Sequence, residues 1–226
     1  MKQKIERTSP RITVNKMGEY PFASPTRRSR IIYDAKYPKS FITARYSKAE
    51  ASIKEFFLNK YRDRKLITQS IEELTNLKPT SKYHNEVIYS CIEALTEFLK
   101  FIEGSELVEN DKDYFDGISK SASIKISGVE ISIRPEILIQ DKGKVTGGVK
   151  LYFAKTYPLT KPSAEFIGTL LMKYLKEQTG SDIKARNCFV IDIFNKTIYT
   201  APKAYSKRLL EIEAACEEIS SRWSSI

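Results

Sequence analysis

Residues 130–155 read EISIRPEILIQDKGKVTGGVKLYFAK, and how they pair decides the fold. Apolar and polar residues alternate on both sides of Asp141-Lys142-Gly143-Lys144, the pattern of two strands joined by a tight turn. Read as one strand, Val129–Ile137 puts Glu130, Ser132, Arg134 and Glu136 on one face, with Val129, Ile131, Ile133 and Ile137 on the other. In the following strand Gly148, Lys150, Tyr152 and Ala154 oppose Val149, Leu151, Phe153 and Lys155. Antiparallel pairing about Lys142-Gly143 sets Glu136 opposite Gly148 to Lys150, within one register step. A carboxylate and an ammonium are therefore expected to share a face. The same pattern would also arise from an ordinary charge cluster of Arg134, Glu136 and Lys150 on a solvated sheet face.

Working outward, the hydrophobic period changes near Gly104. Before it, apolar stripes recur at helical spacing: Ile53, Phe56, Phe57 and Tyr61; then Leu66, Ile67, Ile71, Leu74 and Leu77; then Val87, Ile88, Cys91, Leu95, Phe98, Leu99 and Ile102. Ser24 and Pro25 suit the start of an earlier helix, which should stop before Pro38. RITVNK, residues 11–16, reads as a short edge strand, and ENDKDYFDG, residues 109–117, as a loop. After residue 123, β-branched residues alternate with polar ones, interrupted at Ser127-Gly128. Thr160 caps a helix carrying Phe166, Ile167, Leu170, Leu171, Tyr174 and Leu175; two strands follow around Asn195-Lys196, then a last helix from about Ala204 to Trp223. The expected class is α+β or α/β. A basic arm spans 1–23, a helical layer 24–104, and a β-β-β-α-β-β-α core 123–226, the helical region and the core forming one compact unit.

Composition bounds the function. The chain has 226 residues, 41% of them hydrophobic, enough for one domain with a real core. No apolar run reaches membrane-spanning length and the N-terminus lacks a secretory h-region, so a soluble cytoplasmic protein without a membrane partner is expected. Cys91, Cys188 and Cys216 lie far apart among apolar neighbours, as buried thiols do in a reducing compartment. His84 is the single histidine, which excludes His-rich metal sites; near a helix start it reads as a capping residue. No nucleotide-binding glycine loop is present. The net charge of +10 is concentrated at the front: residues 1–50 hold 12 Lys and Arg against 4 Asp and Glu, a net of +8. A basic segment of this kind favours polyanions, most often nucleic acid. Arg27, Arg28, Arg30, Lys36, Lys39 and Arg45, interleaved with Tyr33, Tyr37 and Tyr46, supply phosphate donors and stacking rings. The other reading docks the segment on the core through Ile31, Ile32, Tyr33, Phe41 and Ile42. Asp192, an acid in the apolar run FVIDIF, is expected on a solvated face, and Gly147-Gly148 beside a closely packed helix or a bound phosphate.

RPE at 134–136, GVK at 148–150 and the helix AEFIGTLLMKYL at 164–175 follow one another in an order that resembles the PD-(D/E)XK nuclease superfamily, RecB-like in style, over residues 123–200. The resemblance implies a restriction-endonuclease-like core. It implies two acids holding Mg²⁺ and a lysine that orients water and steadies charge on the phosphate. By it, Glu136 is a metal ligand and Lys150 the catalytic lysine. The chain departs from the pattern at Gly148, where the middle acid should stand, and lacks the Gln-x-x-x-Tyr helix signature, Lys173-Tyr174 being nearest. Glu130 and Glu165 are the candidates to fill the gap as metal ligands. The implied protein binds nucleic acid, either as a Mg²⁺-dependent phosphodiesterase or as an inactive relative. The alternative is a non-catalytic interaction or oligomerisation module whose basic arm meets an acidic partner. The stretches RRSRIIYDAKYP and LEIEAACEEISSRW also resemble an uncharacterised bacterial family, implying a bacterial protein.

Overall fold

Pro135 interrupts the ladder that the alternation suggests, because proline brings no N–H to a sheet. A computed structural model describes residues 5–38, 45–108, 112–117 and 122–226. The single strand expected over Val129–Ile137 is two strands in two different sheets. The elements are β1 (Arg11–Thr13), α1 (Val14–Glu19), a 3-10 turn (Tyr20–Phe22), α2 (Pro25–Lys36), α3 (Ser47–Leu58), α4 (Arg64–Asn76), α5 (Lys82–Leu99), β2 (Asp113–Asp116), β3 (Ser123–Ile126), β4 (Val129–Ser132), β5 (Ile137–Asp141), β6 (Lys144–Tyr152), α6 (Lys161–Thr179), β7 (Cys188–Asp192), β8 (Thr197–Thr200) and α7 (Ser206–Trp223). The class is mixed α+β, as expected.

The larger sheet runs β2-β5-β6-β7-β8. Its pairs are antiparallel except β6–β7, which are parallel and joined across α6. The β5–β6 turn has Lys142 and Gly143 both at positive φ, the primed geometry that matches strand twist. Ile137 lies opposite Val149, so Glu136 falls beside Lys150, the register read from the sequence. The smaller sheet runs β1-β4-β3, with β1 a parallel edge strand, Ile12 opposite Ile131.

The five-stranded sheet is a wall between two cores. Ile137, Ile139, Val149, Leu151, Phe189 and Ile191 face α3, α4 and α5, packing with Phe56, Phe57, Leu95 and Phe98. Tyr152, Cys188 and Val190 face the other way, toward α6, α1, α2, α7 and the small sheet. Residues 24–104 are thus split: α2 packs with α7 and β1, while α3–α5 cover the opposite face. Residues 11–20, expected within an arm, form β1, α1 and the start of the 3-10 turn and bury Ile12, Val14, Met17 and Tyr20.

One local expectation changed. Asp113–Asp116 is a strand rather than a loop; only Tyr114 turns inward, so no alternation marks it. His84 does work at a helix start, accepting from the Thr80 N–H at 3.1 Å while its own N–H reaches the Ser81 cap at 3.0 Å. All three cysteines are free and buried. No helix among the described residues is long and apolar enough to cross a membrane. Lys39, Phe41 and Ile42 lie outside the described residues.

Candidate functional site

Lys150 sits in the middle strand on the face it shares with Gly148 and Tyr152, and Glu136 stands at the bend before β5. The two meet: the Lys150 ammonium donates to Glu136 Oε1 in a close ion pair. The second oxygen, Oε2, accepts the Leu151 N–H at 2.7 Å. The pair is sealed, with Glu136 3% and Lys150 7% exposed. It is not the solvated cross-strand cluster that alternation alone allows. Burial pushes the Glu136 carboxyl above the usual carboxylate range, and the Lys150 charge and the two hydrogen bonds only partly oppose that.

Two further acids, which sequence reasoning missed, lie at this end of the sheet. Glu50 on α3 pairs with Arg134 at 2.6 Å, and its charge adds a little to the rise at Glu136. Asp116 sits opposite Ile137 and is held by Lys54 from α3. Each carboxylate therefore has its own cation. Nothing in the local sequence marks either one, since both are solvent-side acids until the tertiary fold aligns α3 with β2.

The other expected ligands lie elsewhere. Glu130 is on β4 in the smaller sheet, 3.7 Å from Arg11, so it does not share a strand face with Glu136. Glu165 on α6 takes both arms of the Arg208 guanidinium, at 2.8 and 2.6 Å. At Gly148 a Cβ would stand 2.9 Å from the Ile137 carbonyl oxygen and 3.2 Å from Leu175 Cδ1. At Gly147 it would stand 1.9 Å from the Asn187 carbonyl oxygen. Close packing, of the α6 side chain at 148 and of a turn's backbone at 147, explains both glycines.

Mg²⁺ needs several converging oxygens. Here both Glu136 oxygens are engaged, the middle-acid position has no room for a side chain, and among the described residues no three His, Cys, Asp or Glu converge as a metal group. The residues present do not fit the ion.

Asp192 is fully buried, against the expectation of a solvated face. Its oxygens accept the Leu159 N–H at 2.8 Å and the Asn195 N–H at 3.1 Å, tying together the loops after β6 and β7. Burial raises its carboxyl, offset by those backbone donors.

The basic residues expected to meet nucleic acid divide by role. Arg28 reaches Glu218 at 3.0 Å and the Pro21 carbonyl at 2.5 Å, and buried Lys36 donates to the Trp223 carbonyl at 3.1 Å; both dock α2 on α7. Arg30 pairs with Asp34 one turn on, 5.3 Å above the Tyr33 ring, and Arg45 lies 3.7 Å from Glu86 on a different part of the molecule. Arg27 grips buried Glu19 at 2.5 Å, joined by Lys16 at 2.6 Å, and lies 4.2 Å over the Tyr157 ring. Burial alone would raise Glu19, but hydrogen bonds from Arg27 and Lys16 outweigh it and hold the carboxyl below its usual range. Arg7, Arg11 and Lys16, not singled out by sequence, share a groove with Arg27. Only the front-loaded charge pointed toward them. No protein-family model and no curated protein matches the chain.

Proposed function

We propose that the protein binds nucleic acid through its basic N-terminal face and does not cleave it, its core being an inactive relative of the nuclease fold. The observation that carries the reading is the closed Glu136–Lys150 pair. An acid at the bend that opens β5 meets a lysine on the neighbouring antiparallel strand, followed by a helix and a parallel strand, in the order the resemblance implies. Yet the lysine is spent on the acid rather than offered to water or phosphate. A general base or metal ligand must present a free lone pair to its target, and Glu136 has none turned to solvent. What survives of such a site is a structural latch between β5 and β6.

The binding half rests on charge: in β1, α1, α2 and the described residues that precede them, packed on one side of the sheet, Arg7, Arg11, Lys16, Arg27, Arg28, Arg30 and Lys36 outnumber Glu6, Glu19 and Asp34. The test uses protein stripped with a chelator and labelled DNA and RNA, single- and double-stranded. Fluorescence anisotropy is expected to show binding whose log affinity falls linearly with log salt, because each phosphate contact releases counterions. Denaturing gels with Mg²⁺ or Mn²⁺ are expected to show intact strands. Metal-dependent cleavage abolished by Lys150→Ala would overturn the non-cleaving half. Absence of binding at low salt would overturn the other and favour an acidic protein partner.

A further inference from the structure

We propose that the groove between β1, α1 and α2 is a binding site for a single strand of nucleic acid, phosphates on its cationic walls and a base or sugar on its apolar floor. This rests on the nucleic-acid reading and assigns it a surface. The cavity holds about 430 Å³ and is walled by Arg7, Arg11, Lys16 and Arg27, with Ile12 and Ile31 beneath; the one acid in its lining, Asp34, is paired with Arg30 at 3.1 Å. A second cavity of about 390 Å³ shares Arg27 and continues toward Phe22 and Tyr157, two rings that are 47% and 40% exposed.

The charges in the groove are under-compensated. Glu19 answers for both Lys16 and Arg27. Among the described residues Arg11 pairs with Glu130, at a long 3.7 Å. Arg7 gives a hydrogen bond to the Ala35 carbonyl, and it faces Arg11 as a like charge: burial first, then Arg11, holds its guanidinium below the usual range despite Glu130. Crowded cations over an apolar floor are relieved by an anion that also carries a flat apolar body. A bare anion would leave the floor wet. A duplex presents phosphates on a convex surface that a cavity of this size does not admit, whereas about one or two nucleotides of a single strand fill it and continue onto the exposed rings.

The experiment measures anisotropy of a short labelled oligothymidylate at low salt. Arg11→Glu is the variant, since the Arg11 side chain is a third exposed and its partner Glu130 is as exposed as it is. Its control is Lys144→Glu, the same charge change on the β5–β6 turn. The groove predicts at least about tenfold weaker binding and a shallower salt slope for Arg11→Glu, and less than about threefold for the control. Circular dichroism checks that both variants are folded. Unlabelled oligothymidylate should displace the label better than a duplex or heparin of equal charge. Wild-type binding that Arg11→Glu leaves intact overturns the groove while the nucleic-acid reading stands; a wild type that does not bind overturns that reading itself. Equal displacement by heparin overturns a nucleotide occupant in favour of a generic acidic polymer.

Discussion

Glu136 gives one oxygen to the Lys150 ammonium and the other to the Leu151 N–H, with water shut out from both. Because burial raises its carboxyl in the folded state, its ionisation opposes folding, and that cost is relieved as pH falls through the raised value. Glu19 runs the other way: its carboxyl is held low, so it contributes stability above the unfolded carboxylate range and loses it in acid. Lys150→Met should expose the difference. It strands a buried carboxylate and is expected to cost about 3–5 kcal/mol at neutral pH. The loss should shrink on acidification, as Glu136 takes up a proton. Glu136→Leu combined with Lys150→Met should recover most of the stability, because a buried ion pair is replaceable by apolar groups. Urea unfolding at pH 7 and pH 5 measures both; a loss independent of pH, unrepaired in the double variant, sinks the latch interpretation.

At the scale of the element, β6 is the strand on which everything turns. A bulge at Thr146, between the Ile139–Gly147 and Gln140–Val145 pairs, lets the Lys184 N–H reach the Thr146 carbonyl at 2.8 Å and brings Asn187 against Gly147. One residue on, Gly148 is pressed between the Ile137 carbonyl and Leu175. Restoring the acid that the nuclease pattern expects, Gly148→Asp, should therefore cost about 2 kcal/mol or more through overpacking and a buried charge, and confer no Mg²⁺ response. Thermal melts with and without Mg²⁺ check this; a Tm that rises with Mg²⁺ only in the variant would show that the gap was a vacancy after all. The sequence made the hairpin and its register legible, since a two-residue turn and strict alternation fix both. It hid the passage from β4 to β5, because Ile133 and Ile137 keep their phase across a bend that changes sheets. It hid β2 because a main-chain edge pairing with one inward ring leaves no pattern. Asp192 misled because its donors come from loops elsewhere in the chain. The site was half legible: spacing joined Glu136 to Lys150, but no spacing places Glu50, Asp116 or the Arg7–Arg11 groove.

For the whole molecule, the decisive feature is that both cores share one wall. Val149 and Leu151 point to α3–α5 while Lys150 and Tyr152, alternating with them on the same strand, point toward α6. Neither helical layer can leave without stripping a face of β5, β6 and β7, so the two layers are expected to unfold together. Trp223 makes this testable, being the single tryptophan and 5% exposed in the core on the α6–α7 side. Far-UV circular dichroism, by contrast, reports all seven helices of the described residues. Phe98→Ala empties a site in the core on the α3–α5 side, and Leu170→Ala one in the other; each is expected to cost about 2–5 kcal/mol. If the sheet couples the layers, Phe98→Ala lowers the urea midpoint by the same amount in Trp223 fluorescence as in circular dichroism, though the tryptophan lies across the sheet from the lesion. If the layers are separable, Phe98→Ala shifts the dichroism and leaves the fluorescence transition where it was. Coincident shifts for both variants would also explain why a charged pair is tolerated in the wall. Lys150 and Glu136 close its open end, where β5 begins and β6 finishes, and there a latch between strands secures both cores at once.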